Sequence, residues 1–324
     1  MILITGGKGQ LATLLKNELL NYIEPNTIIL AARSNFKSSS NCIIEIGDLQ
    51  DINFIRDIFS RHKIIKVFNL ATESFVDRNL ILKNYLDYNR CKIFDNIVQV
   101  ISENKKSIWL FHPLSSELFG IPKNVSQGNN TLISPINSYG IQKSMELLKC
   151  RFLNSQGFNI FHPILFNIES SLRSEKFFTR RIIQGLINYK TTGEGKIKFY
   201  NAYSTRDFSY GPDVVKLFYL AMKLRLKGDE CFGSSKSLTV INFLKLSLIN
   251  LEINYNISEE NGHITINDSQ GNIIAFEADR NFLDESRKFR FDGCFNNSFW
   301  NSKKIRGGEE LVKLLIEDYK KAIN

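Results

Sequence analysis

Ile2-Leu3-Ile4-Thr5-Gly6-Gly7-Lys8-Gly9-Gln10-Leu11-Ala12 decides how the rest of the chain is read. The apolar run Ile2 to Thr5 has the length of a buried strand, and a helical pattern follows at Leu11, Leu14, Leu15, Leu19 and Leu20. The glycines of the intervening turn let the backbone bend tightly and approach a pyrophosphate, which the helix N-terminus attracts with its unpaired N–H groups. Ala12 is small enough for the helix to pack close to the strand. The context is that of a dinucleotide-binding turn, with Gly6, Gly9, Gln10 and Leu11 as candidate contacts.

Working outward, apolar strands and amphipathic helices alternate. Strands are predicted over Thr27–Ala32, Cys42–Ile46, Lys66–Ala71, Ser107–Phe111 and Asn159–Phe166. Helices are predicted over Ile52–Phe59, Leu82–Glu103 and Ser138–Asn154. This spacing predicts βαβ units and an α/β fold of Rossmann type, a doubly wound, mostly parallel sheet. The second half is less regular. Helices are predicted over Phe177–Ile187, Pro212–Leu224, Val240–Leu251 and Gly308–Ala322, with a β-hairpin over Asn261–Phe276 turning near Gly271. The expected organisation is a dinucleotide-binding domain over residues 1–166, to which about 208–235 return. A smaller, mixed α/β substrate-binding region then comprises 167–207 and 236–324.

Composition narrows the functional classes. The 324 residues are 43% hydrophobic and 23% charged, which fits a globular protein and excludes disorder, collagen and coiled coil as overall classes. No apolar run reaches the roughly 20 residues of a spanning helix. Met1 leads straight into Ile2-Leu3-Ile4 without a basic n-region, so no secretory leader is expected. Cys42, Cys91, Cys150, Cys231 and Cys294 are odd in number, far apart and free of CxxC, which argues against disulfides or a metal site and for a reducing cytoplasm. The net charge of +9 comes without a long Lys/Arg run. A phosphate-bearing metabolite explains that charge better than nucleic acid does, and neither nucleic acid nor membrane is an expected partner.

The end of the second strand selects the cofactor. NAD-binding chains place an acid there for the ribose hydroxyls, and NADP-binding chains often place Arg for the 2′-phosphate. Ala31-Ala32-Arg33-Ser34 holds no acid, so NADP is favoured over NAD, with Arg33 and Ser34 on the phosphate. Asp48, followed by Leu49, is placed near the adenine, and Asn69-Leu70-Ala71 provides a small-residue backbone bend, at Leu70 and Ala71, beside the cofactor.

Tyr139 and Lys143 stand four apart at a helix start, on one face. A neighbouring ammonium stabilises a phenolate and makes a tyrosine usable as a base. One strand earlier, Ser115 offers a hydroxyl to a substrate oxygen undergoing oxidation. His112 and His162 each precede a proline at a strand end and read as structural.

Taken in order, Thr5-Gly6…Gly9-Gln10, Arg33-Ser34, Gly47-Asp48-Leu49, Phe68-Asn69-Leu70-Ala71, Ser115-Ser116-Glu117-Leu118-Phe119-Gly120, Ser138-Tyr139…Lys143, Ile164-Leu165-Phe166-Asn167-Ile168-Glu169-Ser170, Thr179-Arg180 and Thr205-Arg206-Asp207 resemble the extended short-chain dehydrogenases/reductases, most of all the GDP-mannose 4,6-dehydratases. The likeness covers about residues 1 to 250. It implies an NADP-dependent lyase acting on a GDP-hexose or GDP-heptose to give the 4-keto-6-deoxy sugar. Tyr139 would deprotonate the 4-hydroxyl while a hydride leaves C4. Lys143 would lower the tyrosine pKa and hold the nicotinamide ribose. Ser115, where the family has Thr, would bind the 4-oxygen. Glu117 would remove the C5 proton and assist water loss, before the hydride returns to C6. Asn167, Arg206 and Arg180 would contact the nucleotide-sugar. The resemblance also implies a loop, Arg33 to Ser40, reaching a neighbouring subunit's cofactor. Helices Leu82–Glu103 and Ser138–Asn154 would pair subunits into a homodimer or homotetramer. The family's late Arg-Pro-x-Glu-type segment has no match: Asp284 to Phe291 lacks the proline, and Arg287 or Arg290 stands in. Alternatives on the same fold are an epimerase, a 4-reductase or a C4 dehydrogenase; Glu117 discriminates, since a dehydratase needs a C5 base and a 4-reductase does not. A non-catalytic NADP-binding regulator has no need of both Tyr139 and Lys143.

Overall fold

The computed structural model describes residues 1–36, 40–72, 91–104, 107–121, 126–260, 262–278, 292–293 and 303–323. Arg287, Arg290, residues 37–39 of the loop after the second strand and residues 82–90 of the long predicted helix lie outside that set. In chain order the first half runs β1 (Ile2–Thr5), α1 (Gln10–Leu19), β2 (Ile28–Ala32), β3 (Ile43–Ile46), α2 (Ile52–Arg61), β4 (Lys66–Phe68), α3 (Lys92–Asn104), β5 (Trp109–Phe111), α4 (Ser138–Ser155) and β6 (Asn159–Phe161). The second half runs β7 (Asn167–Glu169), α5 (Phe178–Thr192), β8 (Ile197–Phe199), β9 (Thr205–Tyr210), α6 (Gly211–Leu224), β10 (Ser237–Thr239), α7 (Val240–Asn250), β11 (Asn256–Glu260), β12 (His263–Asn267), β13 (Ile273–Glu277) and α8 (Gly308–Ile323).

The chain divides into two compact units. The first comprises 1–121, 129–165 and 214–232. Its six-stranded sheet has the order β3-β2-β1-β4-β5-β6, and every pair is parallel. This is the doubly wound order, reversing between β1 and β4, where ligands bind at the carboxyl ends of strands. Both β1 and β2 are buried along their whole length, as strands covered by helices on both faces must be. The helices earn their starts locally: Asp51 caps α2 by accepting from the Asn53 N–H at 2.9 Å, and Asn137 caps α4 by accepting from the Gly140 N–H at 2.7 Å. Leu3, Ile29, Ile55, Val67, Phe94, Ile97 and Ile160 meet in the core that joins sheet to helices. The predicted strand Asn159–Phe166 breaks at His162-Pro163, because proline supplies no N–H to a ladder. Its remainder, Ile164–Leu165, pairs instead with Leu114–Ser115 and Cys231–Phe232, and this small sheet carries Ser115.

The second unit comprises 122–128, 166–213 and 233–324. The expected hairpin is present as β12 and β13, joined through a turn at Gly271 with φ +88°. It belongs to a larger four-stranded sheet, β8-β13-β12-β11. β11 escapes a burial-pattern reading because all five of its residues are exposed. A second sheet, β7-β9-β10, packs against α7 and α8, while α5 packs on β8 and on those two helices; Ile183, Leu186, Phe199, Phe243, Leu244, Leu311 and Leu315 share the core. Asp213 holds Arg306 bidentately, at 2.7 Å to both Nε and Nη2, and so ties the segment before α8 to the first turn of α6. Among the described residues no helix is long and apolar enough to cross a membrane, and no His/Cys/Asp/Glu group is arranged to hold a metal ion.

Candidate active site

The turn after β1 fits a dinucleotide closely. Gly6 has φ +68°, and a Cβ there would lie 2.9 Å from the Leu70 carbonyl oxygen and 3.1 Å from Ala71 Cα. Only glycine fits both the dihedral and the approach. Gly9 is the N-cap of α1 and donates to Gly6 O at 2.7 Å, while the Gly7 N–H binds Ala31 O at 2.9 Å. Ala12 is 1% exposed, so α1 packs directly on the sheet. Gln10 and Leu11 are half-buried at the helix start. At the end of β2, Arg33 and Ser34 are exposed, and Lys8 Nζ donates to Ser34 Oγ at 3.0 Å. Lys8 thus joins the cationic end of β2, a contact that sequence spacing alone does not give. Asp48 closes its own turn by accepting from the Gln50 N–H at 2.9 Å, and Leu49 behind it is buried.

The second cluster is built by α4, the end of β5 and the 114–119 segment. Tyr139, Gln142, Lys143 and Glu146 fall on one buried face of α4, at helical spacing. Ser115 is near enough to Tyr139 to pull its phenol pKa down. The Lys143 ammonium sits 5.8 Å from the tyrosine ring centroid and donates to Pro113 O at 3.2 Å and to Glu146 Oε2 at 2.8 Å. Glu117 follows Ser115 in a short 3₁₀ turn, where the Ser115 hydroxyl accepts its N–H at 3.3 Å. The Glu117 carboxylate accepts from Asn137 Nδ2 at 2.8 Å. Asn137 therefore caps α4 with its oxygen and aims Glu117 with its nitrogen. Its place one residue before the helix was the sequence signal that could have found it. The structure thus brings together Ser115, Glu117, Tyr139 and Lys143.

Burial opposes the charged forms of Tyr139, Lys143, Glu146 and His112. It pushes the Tyr139 phenol up, and the pull of Lys143 and Ser115 only partly offsets it. The net shift of Tyr139 is thus upward, opposite to the acidification expected from Lys143, because burial outweighs the ammonium. Burial would also discharge Lys143, but Glu146, followed by Tyr139, outweighs it and holds the ammonium above its ordinary value. Glu146 in turn is held far below the carboxylate range, because Lys143 and His112 outweigh its burial. His112, read from sequence as merely structural, belongs to this cluster. Its Nε2 lies 3.0 Å from Glu146 Oε2, and burial lowers its pKa, keeping the ring neutral.

In the second unit, Asn167 is half-buried in β7, paired in register with Phe208. Arg206 is half-buried on β9 and donates to Thr205 O at 2.8 Å and Ser204 Oγ at 3.2 Å. Its neighbour Asp207 is fully buried and accepts from Ser234 N, Ser234 Oγ and Ser235 N, so it braces the 234–235 turn. Arg180 braces a turn too: its Nη1 donates to Ser171 O at 3.0 Å and Arg173 O at 2.7 Å. Glu169 is buried, accepts from Thr179 Oγ1, and has its pKa raised by burial against the pull of Arg173 and Thr179.

A family model described as GDP-mannose 4,6 dehydratase matches residues 3–290. GDP-mannose 4,6 dehydratase 1 of Arabidopsis thaliana is 25% identical over 217 residues, covering 65% of this chain and 60% of the relative. GDP-mannose 4,6-dehydratase of Vibrio cholerae is 24% identical over 246 residues, covering 75% and 64%. The matched stretch thus spans about three-fifths of the length of these curated relatives. Among solved structures, UDP-glucose 4-epimerase of Thermotoga maritima superposes with a TM-score of 0.75 at 18% identity, covering 100% of this chain and 99% of that one. dTDP-glucose 4,6-dehydratase of Bacillus anthracis does so with a TM-score of 0.75 at 12% identity, covering 99% and 96%. These likenesses establish the fold.

Proposed function

This chain belongs to the GDP-mannose 4,6 dehydratase family, and on that basis we propose that it removes water from a nucleotide-activated sugar, a GDP-hexose or GDP-heptose, to give the 4-keto-6-deoxy product. The observation that carries the reading is the clustering of a phenol, an ammonium, a hydroxyl and a carboxylate around one helix start, with Glu117 held by Asn137 at 2.8 Å. A C4 oxidant or a 4-reductase needs the first three groups; a dehydratase needs the fourth as well.

The glycine cradle at Gly6 fits a dinucleotide, and a nicotinamide dinucleotide bound there supplies a reversible hydride acceptor for the sugar C4. We assign NADP, with Arg33, Ser34 and Lys8 on the 2′-phosphate, because the end of β2 is cationic and carries no acid. Asp48 and Leu49 flank the adenine, and Leu70 and Ala71 the middle of the cofactor.

Tyr139 accepts the 4-hydroxyl proton, and Ser115 donates to the 4-oxygen as it becomes a carbonyl. The carbonyl acidifies C5–H. Glu117 takes that proton and passes it to the C6 hydroxyl, which leaves as water as the C5=C6 bond forms. Tyr139 passes its proton to C5 as the hydride returns from the bound nicotinamide to C6, so that every group is restored with no net reduction. Lys143 keeps a positive charge beside Tyr139 throughout. Asn167 and Arg206 contact the nucleotide diphosphate, and Arg180 supports that role by holding the 171–173 turn.

The chain works as a homodimer or higher oligomer in the cytoplasm. In support, Met145, Leu148 and Phe152 recur along α4 with 47%, 60% and 63% of their surface exposed. An Asp95–Lys149 pair at 2.7 Å links α3 to α4 beside them. The buried thiols of Cys42, Cys91 and Cys150 suit a reducing compartment.

The test uses the full chain with catalytic NADP and GDP-mannose, read by mass spectrometry beside Glu117→Gln. Loss of one water without NADPH accumulation, abolished in the variant, is the expected result. Stoichiometric NADPH without water loss would assign a C4 dehydrogenase instead.

A further inference from the structure

The proposed mechanism uses Lys143 but not the buried groups behind it. A row of hydrogen bonds leads from the cofactor turn to this lysine. The Ala71 N–H donates to Thr5 Oγ1 at 3.0 Å. The Thr5 hydroxyl donates to Asn69 Oδ1 at 2.9 Å. Asn69 Nδ2 meets His112 Nδ1 at 3.1 Å, and His112 Nε2 meets Glu146 Oε2 at 3.0 Å. The same Glu146 oxygen accepts from Lys143 Nζ at 2.8 Å, and its other oxygen accepts from Gln142 Nε2 at 2.9 Å. With Asn69 donating to Nδ1, the neutral imidazole carries its proton on Nε2 and donates it to Glu146. Every donor in the row then faces an acceptor. Phe94 of α3 covers the imidazole, with ring centroids 4.2 Å apart. Asn69, His112, Lys143 and Glu146 are each no more than 3% exposed.

We infer that Glu146, oriented by His112 and Asn69, is the positioning residue that keeps Lys143 charged and fixed beside Tyr139. The inference rests on the catalytic reading of Lys143 given above. A buried ammonium without a counterion sheds its proton, and Glu146 is the anion that prevents it. An ammonium has three donors. Glu146 and the Pro113 carbonyl take two of them, which fixes the direction of the third. The arrangement has a cost: the same carboxylate pushes the Tyr139 phenol up. The neighbouring ionisable groups do not substitute for it. Cys91 and Cys150 are thiols that burial keeps protonated, Asp95 is committed to Lys149, and Glu117 is held by Asn137.

The experiment titrates Lys143 in the full chain by carbon NMR of Cε-labelled lysine, with the signal assigned by its loss in Lys143→Met. It needs no substrate, so it stands or falls apart from the dehydratase reading. In the parent, Lys143 stays protonated above the ordinary lysine range. In Glu146→Gln its midpoint falls by about two pH units or more, and in Glu146→Asp it falls by less. Turnover in Glu146→Gln then declines on the alkaline side where the parent's does not, a change of pH profile that mere loosening would not produce. Should Glu146→Gln fail to fold, the double variant with Lys143→Met, which removes both charges, regains the fold. A Lys143 midpoint unchanged in the Asp and Gln variants, or a double variant no better folded than the single one, overturns the assignment.

Discussion

Replacing Gly140 by alanine tests whether the seating of α4 sets the geometry of Glu117. Gly140 sits in the first turn of α4, between the proposed base Tyr139 and the lysine four positions after it. A Cβ there would lie 2.4 Å from the Glu117 carbonyl oxygen and 3.0 Å from Pro135 Cβ. The Glu117 backbone must therefore retreat by about 0.6 Å to escape overlap, and it has little slack, because the Asn137 amide grips the Glu117 carboxylate while its oxygen caps Gly140. Two energies compete. Alanine in a helix gains about 0.5–1 kcal/mol over glycine, whereas overpacking against backbone costs about 1–3 kcal/mol. The clash wins, for a net loss of roughly 1 kcal/mol and a fall in Tm of a few degrees. Displacing a reacting carboxylate by this amount lowers turnover by about ten- to a hundredfold. Turnover is read as water loss from GDP-mannose, cofactor binding as NADPH fluorescence, and stability as thermal unfolding. Cofactor binding should be spared. Gly185→Ala is the control: its Cβ would meet the Ile197 side chain, at 2.7 Å to Cγ1 and 2.9 Å to Cδ1, and no backbone of a proposed site residue, so turnover stays at the parental level whatever the cost in stability. Parental turnover and Tm in Gly140→Ala would refute the reasoning, since Glu117 would then be free to move without consequence.

Two further changes probe the rest of the first unit. Gly6→Ala forces a Cβ onto φ +68° and against the Leu70 carbonyl; the left-handed conformation alone costs about 1–2 kcal/mol, and NADPH fluorescence should show at least a tenfold weaker Kd. His162 makes no hydrogen bond through its ring among the described residues, lies 3.7 Å from Asp229, and has its pKa pushed down to about 4, chiefly by burial. The unfolded chain therefore binds the extra proton first as pH falls below about 6.5, and stability present above that value is lost on the way down through pH 4. Urea unfolding at pH 7 and pH 4.5 should show a parental loss from this group of roughly 2 kcal/mol, which His162→Leu removes; equal pH sensitivity in both proteins would exclude His162 as the source.

How much of this was legible in the sequence follows from the physics of each signal. The Gly6–Gly9 turn, the strand pattern and the Tyr139–Lys143 spacing are local, so residues a few positions apart reported them directly. Strand ends were overrun where a proline or a backbone bend stops the ladder: Lys66–Ala71 pairs only to Phe68, and Asn159–Phe166 breaks at Pro163. β8 and β11 were missed because one is a three-residue strand and the other is exposed throughout. The groups around Lys143 were illegible for another reason. Thr5, Asn69, His112 and Glu146 come from four separate segments: parallel pairing of β1, β4 and β5 carries the first three to one end of the sheet, and α4 brings Glu146 to them.

That convergence also explains why so many close backbone contacts gather there. A Cβ at Gly6 would strike Leu70, one at Gly120 would strike the Ser134 carbonyl at 1.7 Å, and one at Gly140 would strike Glu117. Each glycine lets two segments approach to backbone contact, and each contact flanks a segment bearing a proposed site residue. Side-chain hydrogen bonds then fix what the close packing has brought near: Asn137 to Glu117, Glu146 to Lys143, Thr5 to Ala71. Positions fixed this way resist small displacements because backbone cannot rotate aside as a side chain does. Such packing holds the proposed reacting groups in place before a substrate arrives, as the proposed reaction, which moves a hydride and two protons within one turnover, would require.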